Sequence, residues 1–261
     1  KAGPFHLVEV SPWPICASLS ALGITFGSIY WWHFNNPNIV ILGFALNILV
    51  AFCWFWDVIK ENITGYHNSV VAWGFRFGMI LFILSEVMFF FSFFWSYFHN
   101  CWGPQFELGY NWPPYGFNTV VIDPFSIPLL NTVILLSSGA SVTWAHHSLV
   151  SQDYDNGLIG LFLTAGLGAY FLFLQGNEYF LSPFSINSTV YGTVFFMLTG
   201  FHGFHVTIGT ILLIVCFLRH FYVHFSSDQH VGFEASAWYW HFVDVVWLFL
   251  YFFIYWYGFN M

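Results

Sequence analysis

Long apolar stretches, broken by short polar segments, run through the whole chain. About 20 apolar residues cross a bilayer as a helix, and seven stretches reach or approach that length. In lipid, backbone polar groups must be bonded within the segment, and the alternating pattern of membrane barrel strands is not visible. The sequence therefore predicts an all-α membrane protein with seven transmembrane helices in a single membrane domain, 1–261. The predicted spans, I to VII, are residues 13–32, 39–56, 70–102, 128–145, 158–178, 189–218 and 235–258.

The composition excludes several classes of protein. Of 261 residues, 58% are hydrophobic and only 6% are charged, and the mean hydropathy is +0.69. A soluble domain carries roughly 25% charged residues, so neither a soluble protein nor a disordered one fits. The chain has four Lys and Arg residues, too few to neutralise a run of phosphates, which excludes a nucleic-acid partner. Its four cysteines show no Cys-x-x-Cys pairing, which excludes a zinc ribbon or a disulfide scaffold.

The basic residues predict the orientation in the membrane. With seven spans, Lys1, Lys60, Arg76 and Arg219 all fall on the side of the N-terminus. Basic residues concentrate on the cytoplasmic or matrix side of a membrane. The N-terminus is therefore expected on that side.

Small residues indicate where helices approach one another. Gly23 and Gly27 in span I share the spacing small-x-x-x-small with Gly74 and Gly78 in span III. This spacing permits two helix backbones to come close. Each pair is thus a candidate helix contact.

Glu86 is a carboxyl group near the middle of span III. Arg76 precedes it by ten residues, about 15 Å along a helix, which is too far for a direct pair. A charged carboxylate near the bilayer centre costs several kcal/mol, so we expect the neutral form. Such acids are candidates for proton transfer, although a single hydrogen bond to another helix explains Glu86 equally well. A proton transporter using Glu86 is one alternative, but inverted repeats and broken spans typical of transporters are not visible.

Polar side chains also recur in spans VI and VII. His202 and His205 are three residues apart, as are His241 and Asp244, so each pair lies on one helix face. Together the four residues suggest an autonomous His/Asp metal-dependent membrane enzyme as a further alternative. Their spacing is not specific to a metal, which favours structural hydrogen bonds between helices. We therefore expect no metal ion and no catalytic centre in this chain.

Basic groups at helix ends are candidates for binding lipid phosphates. Arg219 is the only Lys or Arg in the second half of the chain, which makes it the main candidate. The full set of candidate lipid-contacting residues is Trp54, Glu61, His67, Arg76, Arg219 and His224.

Five motifs resemble the subunit 3 family of cytochrome c oxidase, the haem–copper terminal oxidase of respiration. The resemblance covers nearly the whole chain, and its mitochondrial type is the most similar. The motifs are GMILFILSEV at 78–87, PLLNT at 128–132, TWAHHSL at 143–149, TGFHGFH at 199–205 and WYWHFVDVVWLF at 238–249.

The resemblance implies an architecture and a set of partners. The seven helices are expected in two groups, I–II at 13–57 and III–VII at 70–258, separated by a V-shaped cleft filled with lipid. The main partner is expected to be oxidase subunit 1, beside other oxidase subunits and membrane lipids, and membership of a respiratory supercomplex stays open. The expected location is the mitochondrial inner membrane, multi-pass, with the N-terminus on the matrix side.

The resemblance also implies a function. The whole complex transfers electrons from cytochrome c to dioxygen, forms water and pumps protons. Haem and copper belong to partner subunits, whereas this chain holds phospholipids: phosphatidylethanolamine, phosphatidylglycerol or cardiolipin. It is expected to be a non-redox core subunit that stabilises subunit 1 and supports proton uptake.

Residue roles follow from the same resemblance. Glu86 matches the family's intramembrane glutamate, and Arg219 matches a contact to a lipid phosphate. Trp56 and Trp73 stand where the family usually has basic residues, which leaves the lipid headgroup and its geometry open. A further hypothesis is proton collection on the matrix face by His6, His146, His147, Asp153, Asp155 and His230.

Overall fold

The computed structural model describes residues 5–104, 106–114 and 122–259, apart from the side chain of residue 107. Seven helices in the described residues are long and apolar enough to cross a membrane, which confirms the predicted all-α fold and its seven spans. They are α1 Trp13–Phe34, α2 Asn38–Ile63, α3 Ser69–Trp102, α4 Ile127–Val150, α5 Tyr154–Leu181, α6 Val190–Phe221 and α7 Val231–Leu250. A π-helical segment, Tyr251–Tyr257, continues α7, and a short 3-10 helix covers Phe106–Leu108.

Several helices extend beyond the apolar stretch that predicts them. The predicted second span ends at residue 56, whereas α2 continues to Ile63. Its last turns contain Lys60 and Glu61, which are good helix formers that water and headgroups can solvate. Polar capping fixes other ends: the Asp153 side chain accepts a hydrogen bond from Asn156 N at 3.2 Å at the start of α5. Apolar length thus underestimates these helices.

The described residues form two compact units, with the boundary inside α3 between Phe75 and Arg76. In the first unit, α1 packs against α2 at two glycines. A Cβ atom added to Gly27 would lie 2.5 Å from Val40 N, and one added to Gly43 would lie 2.7 Å from Ile24 N. Trp13 Nε1 also donates to Asp57 Oδ2 at 2.6 Å. The close approach predicted at Gly27 is confirmed.

The second glycine pair behaves differently. A Cβ atom added to Gly74 or Gly78 would meet no described atom within 4 Å. The close approach that their spacing suggests is therefore not made by the described part of the chain. Spacing shows that a helix is able to accept a neighbour, but it does not show that one is there.

Gly27→Ala is expected to loosen the α1–α2 contact by about 1 kcal/mol, because its new methyl group has to displace backbone atoms. Hydrogen exchange of the α1 and α2 amides, followed by mass spectrometry on the purified protein, should accelerate about fivefold. Gly74→Ala is the matched control, since its added methyl group would meet no atom of the described residues within 4 Å. Equal exchange rates in the two variants would contradict the tight contact.

The second unit has its core between α4, α5, α6 and α7. Trp240 is fully buried, and its Nε1 donates to Ser138 Oγ at 2.8 Å. Gly168 and Gly209 make room for its ring. A Cβ atom added to Gly168 would lie 2.6 Å from a ring carbon, and one added to Gly209 would lie 2.8 Å from another. Trp247 Nε1 likewise donates to Thr132 Oγ1 at 3.0 Å. Large indoles from α7 thus hold the unit together.

Candidate functional site

Glu86 on α3 and His205 on α6 form a hydrogen-bonded pair within the second unit. Glu86 Oε2 lies 2.8 Å from His205 Nε2, and the side chains are 20% and 8% exposed. His205 Nδ1 lies 2.6 Å from Phe201 O. Because a carbonyl oxygen only accepts, Nδ1 must carry a hydrogen atom. Nε2 therefore either accepts a hydrogen bond from a protonated Glu86 or, in the imidazolium form, donates one to the carboxylate.

Both forms of the pair have the same charge. The two groups share one proton between Glu86 Oε2 and His205 Nε2, and the pair is neutral overall. A neutral pair avoids most of the cost of placing an ionised group in a membrane span. Our prediction that Glu86 itself is neutral stays a prediction, since both forms satisfy the geometry.

The other polar residues of α6 and α7 do not join this pair. His202 is buried, and its Nε2 lies 3.1 Å from Val243 O on α7. His241 Nδ1 lies 4.0 Å from Asp244 Oδ2 on the same helix, and its Nε2 lies 3.4 Å from Thr143 Oγ1 on α4. Among the described residues, His202, His205, His241 and Asp244 do not form a shared group of metal ligands. Each of the three histidines contacts a different helix instead. His202 contacts α7, His205 contacts α3 and His241 contacts α4.

A cluster of charged and imidazole groups lies where α3 begins, α4 ends and α7 begins. Arg76 Nε donates to Glu234 Oε2 at 2.6 Å, and its Nη2 donates to Oε1 at 3.0 Å. His230 Nε2 lies 3.3 Å from Glu234 Oε1 and 3.4 Å from His146 Nε2. We call Arg76, His146, His230 and Glu234 the α7 N-terminal cluster. The cationic group of Arg76, a lipid-contact candidate, is already paired here.

Arg219 near the end of α6 is a largely buried cation. Its guanidinium carbon lies 4.4 Å from the centre of the Phe225 ring. Gly232 leaves room for Nη1, because a Cβ atom there would lie 2.6 Å from that nitrogen. Within the described part of the chain, Nε and Nη2 are buried and have no hydrogen-bond partner. A buried cation of this kind needs an anion or strong acceptor from outside these residues.

His224 follows Arg219 closely, and its backbone N–H donates to Arg219 O at 2.9 Å. Burial is the main cause that lowers the pKa of the His224 imidazole, and the nearby positive charge of Arg219 lowers it further. The unfolded chain therefore binds this proton at higher pH than the folded chain does. The stability that His224 contributes is present above its unfolded pKa, about 6.5, and is lost as the pH falls towards its lower folded pKa.

We expect the variant His224→Gln to lose less stability on acidification than the parent protein. The measurement is the thermal unfolding temperature at pH 7.5 and at pH 5.5 for each. A smaller fall for His224→Gln is the expected result. Identical falls in the two proteins would contradict the lowered pKa.

The remaining candidates lie apart from one another. In the first unit, Glu61 Oε2 lies 3.8 Å from His6 Nδ1 and 3.9 Å from His67 Nε2, and Trp54 is exposed.

Of the proposed proton-collecting residues in the second unit, only His146 and His230 are hydrogen-bonded to each other, while Asp153 caps α5. His147 and Asp155 are exposed, and Lys1 lies outside the described residues. Trp56 and Trp73, the two departures from the family pattern, are exposed as well.

One buried polar group has no counterpart among the sequence candidates. Glu178 Oε1 accepts hydrogen bonds from Tyr255 OH at 2.6 Å and from Gln175 Nε2 at 3.1 Å. Gln175 Oε1 accepts one from Asn131 Nδ2 at 3.2 Å. This network joins α4, α5 and the π-helical segment that continues α7. The signal available in the sequence is the spacing of Gln175 and Glu178 by three residues at the end of an apolar span.

Comparison with known proteins gives consistent matches along the chain. Residues 3–259 match the family model described as "Cytochrome c oxidase subunit III". The proteins named cytochrome c oxidase subunit 3 from Canis lupus and Tragelaphus oryx are each 53% identical over 255 residues. The protein of the same name from Dasypus novemcinctus is 52% identical. In all three cases, the match covers 97% of this chain and 97% of the relative.

Proposed function

Because the chain belongs to the cytochrome c oxidase subunit III family, we propose that it is a non-redox core subunit that stabilises subunit 1, holds phospholipids and supports proton uptake. Family membership makes the chain a multi-pass membrane subunit of cytochrome c oxidase, in complex with other oxidase subunits. The electron transfer from cytochrome c to dioxygen belongs to that whole complex. We place the haem and copper in the partner subunits.

The observation that carries the lipid part of the proposal is that two guanidinium nitrogens of Arg219 have no hydrogen-bond partner among the described residues. Its Nε and Nη2 atoms are buried without a partner in the described residues, and Phe225 covers one face of the group. A phosphate offers oxygen acceptors and a negative charge, which suit a guanidinium better than any neutral acceptor does. Arg219 also lies near the end of a spanning helix, where lipid headgroups are found. We therefore assign to Arg219 the phosphate of a bound phospholipid, and the other candidate lipid contacts stay predictions.

Arg219→Gln is expected to remove tightly bound phospholipid from the complex. The measurement is lipid phosphorus per haem in complexes washed with mild detergent, with the lipid classes identified by mass spectrometry. We expect the loss of about one phospholipid, since one cation is removed. Lys60→Gln is the control, because Lys60 is exposed and already lies 3.5 Å from Asp57. Unchanged lipid content in Arg219→Gln would contradict the assignment.

The proton part of the proposal rests on the Glu86–His205 pair. A pair that shares one proton between two atoms is able to hold or release it with little movement of heavy atoms. We propose that the pair supports the proton uptake of subunit 1. This role is separate from catalysis, since we place the reacting atoms in the partner subunit.

The location follows from the same reasoning. We propose the mitochondrial inner membrane, because the named relatives are animal cytochrome c oxidase subunits. Lys60, Arg76 and Arg219 fall at one end of their spans if successive helices cross in alternating directions. The positive-inside rule then favours the matrix side for that end and for the N-terminus.

A further inference from the structure

We propose that His146, His230 and Glu234 form a binding site for a divalent transition-metal ion, for which Zn²⁺ is the best-fitting ion. This goes beyond the proposed function, which does not depend on a metal, and it reverses our expectation from the sequence that the chain holds no metal ion. Among the described residues, these three are the only group of three or more His, Cys, Asp or Glu side chains whose ligand atoms lie close enough to share an ion.

The distances fit the edges of a zinc tetrahedron. Zinc binds imidazole nitrogen at about 2.0–2.1 Å and carboxylate oxygen at about 2.0–2.2 Å, so neighbouring ligand atoms in a tetrahedral site lie about 3.3–3.5 Å apart. His146 Nε2 and His230 Nε2 are 3.4 Å apart, and His230 Nε2 is 3.3 Å from Glu234 Oε1. The three ligand atoms all lie within 4.8 Å of one another. The third edge joins His146 Nε2 and Glu234 Oε1. A small rotation of the half-buried His146 side chain would shorten it to the length of the other two.

The hydrogen bonds of His230 leave the correct nitrogen available. His230 Nδ1 lies 3.0 Å from Ser226 O, and a carbonyl oxygen only accepts, so Nδ1 carries the hydrogen. In the neutral ring, the lone pair is then on Nε2 and points towards His146 and Glu234. Metal-binding histidines are typically oriented by such a bond from the other ring nitrogen to a carbonyl. His230 is only 6% exposed, so its orientation is fixed.

Two acceptors facing each other explain why a cation fits here. The lone pair of a neutral His230 faces the carboxylate oxygen of Glu234 at 3.3 Å, and without a metal ion it accepts the hydrogen bond from His146 Nε2. A metal ion would replace that hydrogen, and His146 would then carry its hydrogen on Nδ1. Arg76 holds the Glu234 carboxylate in its charged form by two hydrogen bonds. Since Oε1 has more than one lone pair, it is able to serve Arg76 and the metal together.

The site has an open side and a moderate expected affinity. Three protein ligands leave a fourth position for water, as in zinc sites that are not closed. The half-buried His146 ring at the end of α4 gives an ion access to the cluster. The positive charge of Arg76 opposes a second cation, so we expect weaker binding than at a closed four-ligand site.

The test is binding of ⁶⁵Zn²⁺ to the intact purified complex by equilibrium dialysis. The parent complex should bind one Zn²⁺ ion more than the His146→Gln complex, or bind it at least about 100-fold more tightly, because a lost ligand costs more than a lost outer-shell contact. His147→Gln is the matched control, since this neighbouring ring is exposed, and it should bind like the parent. His146→Cys should restore binding, because thiolate is also a zinc ligand.

Equal binding by the parent and His146→Gln would overturn the proposal and leave the cluster as a site for a proton alone. Failure of His146→Cys to restore binding, with the complex assembled, would also overturn it. The unmodified complex gives an independent measurement through anomalous scattering at the zinc edge after exposure to Zn²⁺. A peak among the three ligand atoms is expected, and peaks found only elsewhere would refute the site. Haem and copper content test the proposed function separately and do not change with either result.

Discussion

Trp240→Ala is expected to destabilise the second unit by about 3–5 kcal/mol, the range for deleting a fully buried indole. The variant leaves a cavity between α5 and α6, where Gly168 and Gly209 fit the ring, and it removes the hydrogen bond to Ser138. Because Gly168 and Gly209 have no side chains that could fill it, we expect the cavity to persist.

Cys216 provides a local measurement of this loss. It is buried on α6, and its Sγ lies 3.3 Å from Ser236 Oγ on α7. A thiol reagent therefore reaches it only when these helices separate. At 1.4 kcal/mol per tenfold change, its labelling rate should rise on the order of 100-fold to 1,000-fold or more. Trp144→Ala is the control, because Trp144 is 42% exposed. A labelling rate that rises equally in both variants would contradict the packing role of Trp240.

The second large effect is expected at the Glu86–His205 pair, where shape and hydrogen bonding are separable. Glu86→Leu replaces the carboxyl side chain with an apolar one of similar size. It leaves His205 Nε2 without its partner, at a cost of about 1–3 kcal/mol. Glu86→Gln keeps a donor for the neutral imidazole and should cost less than about 1 kcal/mol. Cys216 labelling measures both variants, since His205 and Cys216 lie on α6.

The comparison of the two variants also tells which form the pair adopts. If Glu86 is protonated, Glu86→Gln replaces an O–H donor with an N–H donor and stability is nearly unchanged. If the pair is carboxylate and imidazolium, the amide oxygen still accepts a hydrogen bond but no longer neutralises the imidazolium charge, and Glu86→Gln should cost clearly more than about 1 kcal/mol. A neutral effect of Glu86→Leu would contradict the structural importance of the hydrogen bond itself.

Much of the fold follows from the sequence, because membrane crossing depends on the length and apolarity of single segments. All seven spans are predicted from these two properties. The helix ends are less predictable: α2 and α4 continue for several residues past the apolar stretch, since polar residues form helix equally well outside the hydrocarbon. The glycine pairs show the same limit for packing, because Gly27 meets Val40 while Gly74 meets no described atom within 4 Å.

The candidate site is predictable only in part, because its members come from distant parts of the chain. Glu86 stands out as a lone carboxyl group in an apolar span, yet nothing in the sequence pairs it with His205 across 119 positions. Arg76 stands out as a cation, but its partner Glu234 is 158 positions away. Glu234 itself lies in a helix start where acidic residues are common, which gives no reason to single it out.

We propose that this subunit of cytochrome c oxidase holds no redox centre of its own. The direct measurement is the visible spectrum and the haem and copper content of the native complex, before and after the chain is stripped from it with detergent. We expect haem and copper to stay with the remaining subunits and the released chain to carry neither. Stoichiometric haem or copper in the released chain would contradict this proposal and would require a redox site among the histidines of α4, α6 and α7.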